Sequence, residues 1–124
     1  MKKNEAIIGI GSNINPDKNI ELAIVLLKCR YELVRVSGFI RTEPIGIINQ
    51  PAFLNGAVKL FTTLDKMAFR QALKDIEDEL GRDRSRAKFG PREIDLDIVV
   101  WNNEIVDEDY YHRDFLQQSV NEIK

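Results

Sequence analysis

The stretch Ile94-Asp95-Leu96-Asp97-Ile98-Val99-Val100 opens with strict alternation of apolar and acidic residues, a period of two that marks a β-strand with unlike faces. Ile94, Leu96, Ile98 and Val100 are expected to point into a core. Asp95 and Asp97 are expected to share the other face, about 7 Å apart. Such a strand calls for a sheet covered by apolar structure on one side and left polar on the other. Immediately upstream, Arg82, Arg84, Arg86, Lys88 and Arg92 fall within eleven residues, opposed there only by Asp83. Paired carboxylates at strand spacing can hold two divalent cations about 4 Å apart, and a neighbouring basic loop can neutralise phosphate oxygens. The alternative is an ordinary solvated acidic strand face attracted to a basic loop.

The rest of the chain supplies the elements around that strand. Ala6 to Ile10 is a short apolar strand ended by Gly11-Ser12-Asn13. Pro16 and Asp17 then suit the first turn of a helix with Ile20, Ala23, Ile24 and Leu27 on its buried face. Leu33 to Arg41 reads as a second strand, and Phe53 to Phe61 as a third. Phe69, Ala72, Leu73, Ile76 and Leu80 mark a second helix, with Gly81 where a C-terminal glycine belongs. The order βαββαβ is the split pattern of an α+β, ferredoxin-like sandwich with an antiparallel sheet. Two helices would cover one face and leave the other for loops and ligand. Phe53 and Asn55 share a face, as an aromatic and an amide that could read a flat heterocycle. An aromatic in a strand is more often core packing, and Asn55-Gly56 could mark only a strand irregularity.

Bulk properties narrow the field. The 124 residues suit one domain, residues 1–124, with a single core. A net charge of -2 argues against a general nucleic-acid binder. The first apolar run is too short and too soon broken by glycine for a signal peptide or membrane span, so a cytoplasmic location is expected, with no membrane partner. One cysteine, Cys29, and one histidine, His112, exclude an internal disulfide and a multi-histidine zinc site. Cys29 is expected to be a small core or boundary residue.

Lys88-x-Gly90-Pro91-Arg92-x-x-Asp95-Leu96-Asp97-Ile98-Val99 resembles the signature of the 6-hydroxymethyl-7,8-dihydropterin pyrophosphokinase family. Gly11-Ser12-Asn13, Arg41-Thr42-x-Pro44-x-Gly46, Gln50-Pro51-x-Phe53-Leu54-Asn55, and Glu77 with Gly81-Arg82-x-Arg84 support it in the same order. The resemblance runs from Ile7 to about Phe115. It implies an enzyme of folate biosynthesis, a Mg²⁺-dependent transferase that moves pyrophosphate from ATP to the pterin hydroxymethyl group and releases AMP. It implies two Mg²⁺ ions at Asp95 and Asp97, with Arg82 and Arg92 neutralising the transferred group. Pterin contacts would come from Thr42, Pro44, Ile45, Phe53, Asn55, Asp95 and Phe115, with the two phenylalanines sandwiching the ring. ATP contacts would come from Glu77, Arg82, Arg84, Lys88, Arg92, Ile98 and Arg113, with Arg84 and Lys88 on a mobile loop.

The likeness departs in places. Glu43, Phe53 and Phe89 replace a more frequent proline, tyrosine and tryptophan, and a Pro-His element that contacts ATP in longer members is largely missing before Arg113-Asp114-Phe115. His112 therefore does not inherit that role. The family's usual C-terminal extension beyond Glu122-Ile123 is missing too. The expected consequence is weaker ATP binding or compensation by a partner chain, a homodimer being one way to cover the lost surface. The second reading is a catalytically weak pterin- or nucleotide-binding protein of the same fold.

Overall fold

The structure is a computed structural model and describes residues 2–124. Strand β1 (Asn4–Ser12) leads into helix α1 (Pro16–Arg30), then β2 (Glu32–Val36), β3 (Ile40–Thr42) and β4 (Phe53–Thr62). Helix α2 (Lys66–Glu79), β5 (Asp95–Trp101), β6 (Glu104–Ile105), and helices α3 (Asp109–His112) and α4 (Asp114–Ile123) complete the chain. The strands form one antiparallel sheet in the order β2-β4-β1-β5-β6, and β3 pairs with the other end of β4. This is the ferredoxin-like α+β arrangement, with β1 and β4 at its centre.

Local chemistry fixes the element ends. Pro16 stands in the first turn of α1, where a missing N–H costs nothing. Asp65 caps α2 by accepting from Ala68 N at 2.8 Å, and Gly81, at φ +87°, turns the chain so that Arg82 N can reach Glu77 O at 3.0 Å. That turn aims Arg82 back at the strand carrying the aspartates. The strand expected from Leu33 to Arg41 is two pieces. Ser37 interrupts it by accepting Ala57 N–H on its own hydroxyl at 2.8 Å while its N–H bonds Ala57 O, and the chain shifts register between Leu33 and Arg35.

The main core lies between the sheet and α1 with α2. Ala6, Ile8 and Ile10 of β1, Val58 and Leu60 of β4, and Ile94 and Leu96 meet Ile20, Ala23, Leu27, Phe69, Leu73 and Ile76 there. The alternation in β1 and β5 thus behaves as expected up to Ile98. At Val99 it fails, because the register with β1 runs Ile8↔Ile98 and then Ile7↔Val100, leaving Val99 as an extra residue. This bulge turns Val100 away from the helices it was expected to face. Val99 and Val100 instead join Ile7, Ala57, Val120 and Ile123 in a second cluster on the far face.

That second cluster corrects another expectation. The far face is not wholly open, because α4 packs across part of it, and the periodic run Leu116, Ser119, Val120, Ile123 supplies the contact. The remaining part, around Gly11, Asn55, Asp95 and Asp97, stays accessible. Cys29 is also not the core or boundary residue expected. It is exposed in the last turn of α1, turned away from the side that Ala23 and Leu27 bury.

Candidate active site

Asp95 and Asp97 sit where β5 crosses the accessible part of the far face, opposite Gly11 and Gly9 of β1. Glycine at position 11 has a geometric reason, since a Cβ there would lie 2.5 Å from Asn55 Oδ1. Asn55 in turn donates to Thr42 Oγ1 at 2.6 Å. The bare backbone of β1 thereby lets an amide and a hydroxyl lie beside the carboxylates.

Asn13 joins three loops around this floor. Buried after β1, it accepts from Arg92 N at 2.8 Å and donates to Gln50 Oε1 and Pro51 O, both at 2.9 Å. Gln50 donates onward to Phe89 O at 2.7 Å. The Gly11-Ser12-Asn13 and Gln50-Pro51 segments thus hold the site loops together without lining it with chemistry of their own.

The arginines between residues 82 and 92 are all engaged by acids. Arg92 Nη1 lies 2.7 Å from Asp95 Oδ2, and Arg82 Nη1 lies 3.4 Å from Asp95 Oδ1 and 3.3 Å from Glu77 Oε1. Arg84 bonds Glu77 at 2.9 Å and Asp78 at 3.0 Å, and Arg86 pairs with Glu93. Glu77 is itself buried, and accepts from Leu96 N at 2.7 Å. Burial pushes its carboxyl up, against the stabilising Leu96 N–H and Arg84. Glu77 therefore anchors both arginines to the aspartate strand.

Among the described residues Asp97 has no such partner. Its carboxyl is pushed up to about 8, first by the surrounding protein and then by repulsion from Asp95, Glu77 and Asp107. The side chain nonetheless stays open to solvent, as a group on a groove floor can, so the repulsion is the firmer cause. Cation binding would relieve it.

Two clefts meet at this pair. The smaller, about 250 Å³, is lined by Gly11, Thr42, Glu43, Ile45, Phe53, Asn55, Phe89 and Phe115, with Lys88, Arg92, Asp109 and Arg113 at its charged end. The larger, about 640 Å³, runs along α2. Glu77, Arg82, Arg84 and Ile98 line it together with Lys66, Arg70, Lys74, Met67 and the segment Val106 to Asp109. Asp95, Asp97 and Asp109 border both. Another depression of about 660 Å³, at the far end of β1 and β4, holds none of the expected residues, and its Lys3 and Arg30 are paired with Glu32 and Glu79.

Most expected site residues thus converge. Pro44 is the exception on the pterin side, being buried behind the cleft that Ile45 lines. Of the expected ATP contacts, Lys88, Arg92 and Arg113 border the smaller cleft and are not part of the larger groove, and Arg113 lies 3.4 Å from Asp109. His112 is exposed at the end of α3. Sequence reading missed Asp107 and Asp109, which carry no periodic signal, and also the cations of α2. The latter had one, since Lys66, Arg70 and Lys74 recur every fourth residue and so share a helix face.

Comparison with known proteins agrees with this geometry. The family model for 7,8-dihydro-6-hydroxymethylpterin-pyrophosphokinase matches residues 7–124. A 2-amino-4-hydroxy-6-hydroxymethyldihydropteridine pyrophosphokinase of Bacillus subtilis is 36% identical over 107 residues, covering 84% of this chain and 64% of the relative. The Haemophilus influenzae protein of the same name is 36% identical over 104 residues, covering 82% and 64%. A folate synthesis bifunctional protein of Arabidopsis thaliana is 37% identical over 99 residues, covering 78% of this chain and 20% of the relative. The chain therefore spans under two thirds of the length of these relatives. With a signature that folds into one floor between two clefts and a family match from residue 7 to residue 124, the chain belongs to the 7,8-dihydro-6-hydroxymethylpterin-pyrophosphokinase family.

Proposed function

We propose that this chain transfers pyrophosphate from ATP to the hydroxymethyl oxygen of 6-hydroxymethyl-7,8-dihydropterin, as a cytoplasmic step of folate biosynthesis. The observation that carries the reading is the position of Asp95 and Asp97 at the junction of an aromatic and amide cleft with a cation-lined groove. One cleft suits a flat polar ring and the other a polyphosphate.

On the pterin side, Phe53 and Phe115 offer apolar faces for stacking, while Asn55, Thr42 and the backbone up to Ile45 offer an edge of donors and acceptors. Buried Pro44 stiffens that backbone. The hydroxymethyl oxygen attacks the β-phosphorus, the bond from that phosphorus to the α,β-bridging oxygen breaks, and AMP leaves with the electron pair. The hydroxyl proton passes to solvent. Arg82 and Arg92 exchange Asp95 for phosphate oxygens and stabilise charge on the group in flight, and Arg84 and Lys88 close over it.

The donor set fits Mg²⁺. Among the described residues no cluster of three or more His, Cys, Asp or Glu side chains is arranged for a metal, and magnesium is commonly held by one or two carboxylates with phosphate oxygens and water completing its shell. Bound at Asp95 and Asp97, two Mg²⁺ ions would supply phosphate neutralisation and orientation.

The test is to mix the protein with ATP, Mg²⁺ and the dihydropterin and follow AMP and pterin diphosphate by chromatography. Equal amounts of both products are expected. Asp97→Ala should lower turnover by roughly 10³-fold while pterin binding changes little. AMP no faster than in that variant would replace the enzyme reading with that of a pterin- or nucleotide-binding protein.

A further inference from the structure

The cations around the larger groove divide into two sets. Arg82 and Arg84, which the signature supplies, are each held by a carboxylate. Lys66, Arg70 and Lys74 line the same groove on α2 and are exposed, and among the described residues they make no ion pair. Their spacing of four residues sets them about 6 Å apart in a row about 12 Å long. Lys74 lies nearest Glu77, which bonds the aspartate strand at Leu96 N, and Lys66 lies farthest away. The row therefore leads toward the Asp95 and Asp97 floor.

The lining contributed by the segment after β6 has the other sign. Asp107, Glu108 and Asp109 lie there, and Asp97 borders the same groove. A polyanion entering the groove without metal is repelled by those carboxylates and drawn to the cations of α2. It meets the α2 row at no cost in broken ion pairs, whereas Arg82 must first give up Glu77 and Asp95, and Arg84 must give up Glu77 and Asp78.

We propose that Lys66, Arg70 and Lys74 form an anion track that captures a polyphosphate chain without metal, ahead of the signature arginines. The track rests on reading the groove as the nucleotide site. It adds three recognition residues to that site and assigns them the first encounter. The ligand chemistry is a flexible polyphosphate, free or as the tail of a nucleotide.

Calorimetric titration with inorganic tripolyphosphate, in chelator and at low salt, tests the track without any turnover. Failure of the pyrophosphokinase reading therefore shows separately, as absence of AMP. The wild-type chain should bind. The triple variant Lys66→Gln, Arg70→Gln, Lys74→Gln should lose at least tenfold in affinity, Lys74→Gln alone two- to fivefold, and Lys28→Gln, on α1, nothing. Arg82→Gln should change this metal-free affinity less than the triple variant does. ATP in place of tripolyphosphate shows whether the nucleoside adds affinity, and a single-stranded oligonucleotide serves as competitor. The proposal is overturned if the wild type does not bind, if the triple variant binds as well as the wild type while keeping its thermal transition, if Arg82→Gln has the larger effect, or if the oligonucleotide binds more tightly than tripolyphosphate.

Discussion

Beneath α1 and α2 the sheet is apolar along its length, from Ala6, Ile8 and Ile10 to Val58, Leu60 and Leu96. On the opposite face the same strands change character part-way. Ile7, Ala57, Val99 and Val100 pack under α4, and then Gly11, Phe53, Asn55, Asp95 and Asp97 form the floor of the clefts. Each strand delivers alternate residues to the two faces, so stability and chemistry are written in the same segments. The difference teaches that a substitution's effect should depend on which face it reaches, even at neighbouring positions. Phenylalanines give the largest contrast. Phe69 is fully buried and touches Tyr31 and Trp101, so Phe69→Ala should cost about 3–5 kcal/mol in urea unfolding. Phe53 is half-buried on the cleft, so Phe53→Ala should cost less than about 1.5 kcal/mol and act mainly by raising the pterin KM. Equal losses of stability would erase the distinction between the faces.

A smaller effect, of opposite sign, is expected on the aspartate floor. Asp97 is raised from 3.8 to about 8 in the folded chain, so between those values the native state holds a proton that the unfolded state has released. Stability without metal should therefore be greatest below about pH 4 as far as this group is concerned, and should fall as pH rises toward 8. Because the carboxyl is open to solvent, screening cuts the loss to about 1 kcal/mol. Asp97→Asn should remove it, making the variant the more stable protein at pH 8 and nearly equal to the wild type at pH 5. Urea midpoints at the two pH values measure this. A wild type that is more stable than the variant at pH 8 would make Asp97 a structural partner on its face, not a strained one.

The helix-covered face is largely legible in the sequence, because burial there follows simple periods. Ile20, Ala23 and Leu27, or Phe69, Leu73 and Ile76, need only helical spacing to be found. The far face was legible only where a local pattern was dense. Asp95, Asp97, Phe53 and Asn55 were placed correctly by strand parity, whereas Val100 was not, since a single extra residue at Val99 inverts parity and leaves no mark in composition. The α4 helix was missed although Leu116, Val120 and Ile123 carry its spacing. Nothing in a four-strand, two-helix plan required a third covering element. Asp107 and Asp109 reach the site only because the β5 and β6 hairpin folds their segment back, through a turn at Asn102 and Asn103 with positive φ. That is a tertiary fact with no short-range signature.

The smallest expected effect falls on the boundary between the two halves of the far face. Ser119 of α4 is 1% exposed and its hydroxyl has no hydrogen-bond partner among the described residues. It borders a small space shared with Gly9, Asp97 and Leu116. If the boundary runs on the site side of Ser119, the residue belongs with Val120 and Ile123, and its unpaired hydroxyl is a desolvation penalty. Ser119→Ala should then raise stability by up to about 1 kcal/mol and leave the pterin KM unchanged. The opposite result, lower stability together with a changed KM, would place the hydroxyl among the polar groups of the floor. The boundary would then shift into α4, making that helix part of the site and not only its support.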